Sequence, residues 1–194
     1  MKQVTKFESL ILSQKNIFSL QDINAVWKIA SRKKLLELIK YYIRTKRLMP
    51  LRRGLYAINT NFSELEIAQK LIPLSYISLY TALGIHGINF QYYQVIHSIA
   101  IASKKITSKN CNFIFHQIKT DIFYNATGLI NEGHYTIASP ERAICDTLYL
   151  YPQASFDNLS AISKNRLKKV IHIYENKRLL KSIHKLIKDY DIHA

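Results

Sequence analysis

Between Leu71 and Ser103 the chain carries no Asp, Glu, Lys or Arg. A run of 33 residues without a formal charge has two destinations, the interior of a folded domain or the interior of a bilayer. The run is long enough to span a membrane, but Pro73, Gly84, His86, Gly87, Asn89, Gln91, Gln94 and His97 interrupt it. In lipid each buried polar group would cost several kcal/mol. The run therefore reads as domain core: one helix, a turn, then a strand. At the N-terminus, Met1-Lys2-Gln3-Val4-Thr5-Lys6 leads straight into a polar–apolar helical pattern without the apolar region of a secretory signal. The two cysteines, Cys111 and Cys145, form no Cys-x-x-Cys pair and no Cys/His cluster. They offer neither a zinc framework nor a disulfide framework and fit a reducing compartment. The expectation is a cytoplasmic protein of 194 residues, one large domain or two small ones, with no membrane partner.

Around this neutral run the charge is segregated. Residues 1–60 hold 13 Lys/Arg and 3 acids, net +10. Residues 61–160 hold 6 and 7, net −1, and residues 161–194 hold 9 and 3, net +6, for a total of +15. A solvated surface explains charge but not its concentration in one short block beside a longer neutral one. Segregation of this kind points to a polyanion partner and to a dedicated nucleic-acid module at the N-terminus.

The first sixty residues read as a helix-turn-helix with a wing. Phe7, Leu10 and Ile11 recur at helical spacing in a first helix over roughly 4–13. Ser19, followed three residues on by Asp22, is close to a capping box, and Ile23, Val26, Trp27 and Ala30 form the apolar stripe of a second helix. Ser31 caps a third helix that runs to about Thr45, with Leu35, Leu38, Ile39, Tyr42 and Ile43 inward and Lys33, Glu37, Lys40 and Arg44 outward. Its first turn holds Arg32, Lys33 and Lys34. Three cations at the positive end of a helix dipole cost about 1 kcal/mol in total at low salt, so they are expected to serve an anion. The N-terminal turn of a recognition helix is where bases and phosphates are met. Beyond it, two short apolar runs flank Arg52-Arg53-Gly54, where glycine supplies the positive φ of a tight hairpin. Pro50 confines the first hairpin strand to an edge. Arg52 and Arg53 at the tip would reach a phosphate or a minor groove. The residues assigned to DNA are Arg32, Lys33, Lys34, Lys40, Arg44, Arg52 and Arg53.

The middle segment reads as an α+β platform. Ser63 caps a helix through Leu71, and Leu74–Ile85 reads as a second, stopped by Gly84 and Gly87. Val95–Ala102, Asn112–Ile118, Ile122–Asn125 and His134–Ala138 are strand candidates. Ser139-Pro140-Glu141 starts a helix to Pro152, with serine at the N-cap, proline next and an acid in the first turn. In it Arg142 and Asp146 stand one turn apart and can pair. Residues 165–190 read as a basic helical tail. Leu179, Leu180, Ile183, Leu186, Ile187 and Tyr190 lie on one side, and Lys177, Arg178, Lys181, Lys185 and Lys188 cover much of the rest. Such a helix can lie on a membrane, on nucleic acid or on an acidic protein, or pack its stripe on the body of the molecule.

No catalytic constellation is legible. His86, His97, His116 and His134 lack metal-ligand spacing, and there is no Gly-rich phosphate loop and no Gly-x-Ser-x-Gly. Cys145 lies among apolar helix neighbours and reads as an inert thiol. Glu175-Asn176-Lys177 has the letters of a nuclease motif but sits in the helical tail. The expectation is a protein with no catalytic residues, no metal and no cofactor.

Three stretches, in order, carry a resemblance: Arg53-Gly54-Leu55-Tyr56, then Ser78-Leu79-Tyr80-Thr81-Ala82-Leu83, then Ala138-Ser139-Pro140-Glu141-Arg142-Ala143-Ile144-Cys145-Asp146. Over residues 5–160 the chain resembles the AbiEi family of type IV antitoxins, also described as transcriptional regulators of viral defence systems. The resemblance implies an α+β protein with an N-terminal winged helix over residues 1–60. That unit would bind double-stranded DNA at repeats in its own promoter and repress the operon. It also implies a regulatory domain over 61–194 that counteracts a nucleotidyltransferase-like toxin without needing a stable complex. Lys177, Arg178, Lys181 and Lys185 are the expected antitoxin surface. Two other readings are an RNA-binding module that shields a toxin's RNA target and a metal-dependent nuclease.

Overall fold

The computed structural model describes residues 5–91, 94–108 and 111–190. Met1–Val4, on which the signal-peptide reading and the start of the first helix rest, lie outside the described residues. The chain is a mixed α+β protein with two sheets.

The N-terminal part builds α1 (Lys6–Leu12), β1 (Ile17–Ser19), α2 (Leu20–Trp27), α3 (Arg32–Arg44), β2 (Met49–Arg52) and β3 (Leu55–Ala57). Its helix starts are set by local chemistry. Thr5 with Glu8, and Ser19 with Asp22, form reciprocal capping boxes, and the Ser31 hydroxyl accepts from the Lys34 N–H. α2 ends at Trp27, where Lys28 turns left-handed, so Ala30 falls outside the helix. The three strands form an antiparallel sheet in the order β1-β3-β2. β1 has no sequence signal of its own, because three residues between two helix signals are too short to show a period. β2 is an edge strand, where Pro50 costs no ladder hydrogen bond.

This small sheet buries both faces. Phe18 and Tyr56 join Leu10, Ile23, Trp27, Leu35, Ile39, Tyr42 and Leu48 in one apolar cluster. Their sequence neighbours Ile17, Leu55 and Ala57, with Leu51, point the other way into the larger cluster of the rest of the chain. The Ser108 hydroxyl donates to the Leu51 carbonyl, 3.1 Å away, across the same boundary.

The rest comprises α4 (Glu64–Leu71), β4 (Ser75–Ile77), α5 (Leu79–Ile85), β5 (Val95–Ala100), β6 (Lys104–Ser108), β7 (Cys111–Gln117), α6 (Thr120–Tyr124), β8 (Leu129–Asn131), β9 (Thr136–Ala138), α7 (Pro140–Leu150), α8 (Lys164–Ile171) and α9 (Lys177–Asp189). The large sheet runs β6-β7-β5-β4-β9-β8. β5/β7 and β4/β9 pair parallel, and the other pairs are antiparallel. α5 and α7 pack on each other, and α4 lies between β1 and β4.

The structure corrects several expectations. Leu74–Ile85 is not one helix. Ser75–Ile77 form a strand near the middle of the large sheet, and Leu79, with φ 54°, turns the chain sharply into α5. An apolar run this short does not declare its period. Ile122–Tyr124 belong to helix α6 and Asn125 is its C-cap, so the stretch is not a strand; Ile122 and Phe123 are both buried, as successive residues of a half-exposed strand would not be. β6 and β8 add strands where none is expected from the pattern, α7 stops at Leu150 instead of Pro152, and the tail is not continuous. A 3-10 turn over His172–Tyr174 follows α8, Glu175 is left-handed, and Asn176 caps α9. No helix among the described residues is long and apolar enough to cross a membrane, and the uncharged run supplies β4, α5 and β5 instead.

Candidate nucleic-acid interface

α3 has a buried stripe of Leu35, Ile39 and Tyr42, and the opposite face is solvent. Arg32, Lys33, Lys34, Lys40 and Arg44 are all exposed, as are Arg52 and Arg53. No acid lies in the first turn of α3. The ion pairs among the described residues are Lys70–Asp22, Arg142–Asp146 and Arg166–Glu141, so none of these seven cations is neutralised by a carboxylate. Arg44 lies over the Tyr41 ring at 5.9 Å, which holds the guanidinium without consuming its charge.

The hairpin lies beside the head of α3. Gly54 takes φ 82° at its turn, a conformation in which a Cβ would be strained, and its carbonyl accepts from the Leu20 N–H at 2.9 Å. That bond ties the hairpin tip to the start of α2. Arg32 and Gly54 border one open cleft of about 470 Å³, lined also by Leu20, Gln21, Asn24, Ile29 and Leu35. The first turn of α3, with Arg32, Lys33 and Lys34, and the hairpin turn that follows Arg52 and Arg53 therefore border the same cleft through Arg32 and Gly54. Lys40 and Arg44 lie towards the other end of α3, Arg44 about 18 Å of helix rise from Arg32 at 1.5 Å per residue.

The second cationic group sits elsewhere. Lys177, Arg178, Lys181 and Lys185 are exposed on α9, whose Leu179 and Ile183 are buried in the large core. The apolar stripe packs on the body and the cations face out.

The Ser-Pro-Glu-Arg-Ala stretch has a structural explanation for each residue. Ser139 accepts from the Arg142 N–H at 3.2 Å and Pro140 opens α7. Glu141, fully buried, accepts from the Ser163 N–H at 3.1 Å and pairs with Arg166 Nε at 3.0 Å, fixing the start of α8. Arg142 donates to the carbonyls of Ile122 (2.8 Å), Asn125 (3.2 Å) and Thr127 (3.0 Å) and to the Tyr76 hydroxyl (3.0 Å). Asp146 accepts from Ser78 (2.7 Å) and Tyr174 (2.6 Å). Burial pushes the Asp146 carboxyl up, and Arg142 together with the Tyr174, Ser78 and Tyr76 hydroxyls pulls it back. The stretch joins β4, α6, α7 and the 3-10 turn through one buried polar network. Ala143, the last of the five, is buried beside it.

One pairing has no sequence signal. His97 and His116 stand on the neighbouring strands β5 and β7, with His97 Nδ1 2.9 Å from His116 Nε2 and the rings stacked at 5.2 Å. The Tyr151 hydroxyl meets His116 Nδ1 at 3.1 Å. Burial and His116 hold His97 down to about 4, and burial and Lys105 lower His116. The two residues are 19 apart in the chain, and only the strand pairing brings them together. Among the described residues no group of three or more His, Cys, Asp or Glu converges on a point that could hold a metal. Burial drives the Cys145 thiol well above the ordinary range, and burial with Glu64 raises Cys111 to about 11. Neither is a thiolate at neutral pH. No family model and no curated protein matches the chain.

Proposed function

We propose that the chain is a DNA-binding autorepressor and antitoxin of the AbiEi type. In this reading residues 1–60 act as a winged helix-turn-helix on double-stranded DNA, at repeats in the protein's own promoter. The observation that carries it is the set of exposed cations on α3 and the hairpin, none of them balanced by an acid. A helix presenting an unpaired cationic face beside an arginine-tipped hairpin suits a major groove with flanking phosphates. The order helix, strand, helix, helix, hairpin supports it further.

The remaining residues, 61–194, carry the antitoxin role against a nucleotidyltransferase-like toxin, with Lys177, Arg178, Lys181 and Lys185 as the acting surface. That part of the reading rests on the resemblance of the three quoted stretches and on the outward-facing cations of α9. The protein works by binding, without a cofactor and without catalysing a reaction, in the cytoplasm.

The test is binding to duplex DNA from immediately upstream of the coding sequence, compared with random duplex. Replacing Arg52 and Arg53 by alanine weakens both nearly equally, as expected where arginines hold phosphates. Arg32→Ala or Lys33→Ala weakens the upstream site more than the random one, by about 1–3 kcal/mol if the side chain reads a base. Equal losses on both duplexes for both sets would move base reading off α3.

A further inference from the structure

The exposed face of α3 holds one residue of the wrong sign. Among Arg32, Lys33, Lys34, Lys40 and Arg44 stands Glu37, the helix's lone acid. It is exposed and lies two residues beyond the buried Leu35, about 200° round the helix at about 100° per residue. That puts it at the crest of the outward face, in line with Arg44 two turns further on, about 10 Å of helix rise away. Lys33 and Lys40 are one turn away on either side, within reach of an intrahelical pair. No ion pair among the described residues includes Glu37.

A carboxylate at the crest of a helix facing a polyanion is repelled unless it meets a hydrogen-bond donor. The major groove offers few. Guanine presents two acceptors there, thymine an acceptor and a methyl group, and adenine a donor flanked by the N7 acceptor. Cytosine alone presents an amino donor with no acceptor beside it. The cations next to Glu37 match the acceptors of the paired guanine. Resting on the winged-helix reading above, we infer that Glu37 is a specificity-determining residue that accepts a hydrogen bond from a cytosine N4 amino group in the major groove and disfavours every other base at that position.

The inference is tested by selecting bound sequences from a randomised duplex pool with the full chain, Glu37→Gln and Glu37→Ala, each verified as folded by circular dichroism. The wild type enriches one position for cytosine. Glu37→Gln shifts that position to adenine, since an amide both accepts and donates. Glu37→Ala leaves it without preference. Discrimination at that position falls by between about fivefold and about a hundredfold in the alanine variant, while its affinity for random duplex rises. A wild-type motif that survives unchanged in both variants overturns the assignment of Glu37 alone. A wild type that binds no duplex overturns the winged-helix reading and this inference with it.

Discussion

Arg142 and Asp146 face each other one turn apart within α7, Nε 3.4 Å from Oδ1, and neither side chain reaches solvent. A pair this deep is retained only if its other lone pairs and protons are satisfied. Most of them are: three carbonyls and Tyr76 take the guanidinium, while Ser78 and Tyr174 donate to the carboxylate. Gly128 completes the packing, since a Cβ on it would come within 3.0 Å of Arg142 Cβ.

Removing one member should therefore strand the other. Arg142→Met or Asp146→Asn is expected to cost about 3–5 kcal/mol, as for other broken buried pairs. The double variant Arg142→Met/Asp146→Asn should cost less than the sum of the two. Urea denaturation midpoints measure this, and an effect below about 1 kcal/mol would show that the network adds little to the fold.

The His97–His116 pair sets a pH dependence whose sign is fixed. His97 titrates near 4 in the folded chain and near 6.5 when exposed. Between those values the unfolded state binds more protons, so its stabilising contribution is complete above about 6.5 and is lost as pH falls towards 4. His116, lowered in the same direction, adds to the slope. Unfolding free energy measured across that window should fall with acidification, and His97→Gln should flatten the fall. An unchanged slope would assign the dependence to other groups.

Dividing the chain at residue 61 should expose apolar surface. Ile17, Leu51, Leu55 and Ala57 belong to the larger core although they lie in the first sixty residues. A fragment of residues 61–194 loses those side chains and the Leu51 carbonyl that Ser108 bonds. It is expected to melt below the full chain and to bind a hydrophobic dye more strongly. A fragment with the melting temperature of the full chain would show that the boundary carries little stability.

Legibility followed the chemistry. Helix starts are readable at Ser19, Ser63 and Ser139, where a serine cap is followed by an acid or a proline, because a cap is a local hydrogen bond, though the Thr5–Glu8 box of the same kind is seen only in the structure. The inward face of α3 is readable from its period and the hairpin from Gly54. β1, β4 and β8 are not: each has three residues, no turn signal or period of its own, and partners elsewhere in the chain, whereas the equally short β3 and β9 are readable, β3 from the Gly54 turn and β9 as part of the His134–Ala138 run. The reach of Arg142 to the α6 segment, and the meeting of His97 with His116, depend on the tertiary fold in the same way. Individual exposed cations are readable as types, but their lack of acid partners emerges only in the folded chain.

The α9 surface is tested in cells. Reversing Lys177, Arg178, Lys181 and Lys185 to glutamate changes exposed positions only, where each substitution shifts stability by about 0.5 kcal/mol or less. Growth rescue is measured with the proposed nucleotidyltransferase-like toxin expressed from a separate promoter, so that repression cannot imitate protection. The variant is expected to stay folded and lose rescue. Equal rescue would leave α9 as a solvated helix face.

The most direct measurement is the affinity of the full chain for its upstream duplex as a function of salt. If α3 and the hairpin place about 5–8 cations on phosphates, log affinity falls linearly with log salt at a slope of roughly −4 to −7. Replacing Arg52 and Arg53 by alanine should reduce the magnitude of that slope by about 1 for each phosphate no longer neutralised. A flat salt response, or one that the arginine variants leave untouched, would contradict the claim that this basic unit binds the DNA backbone.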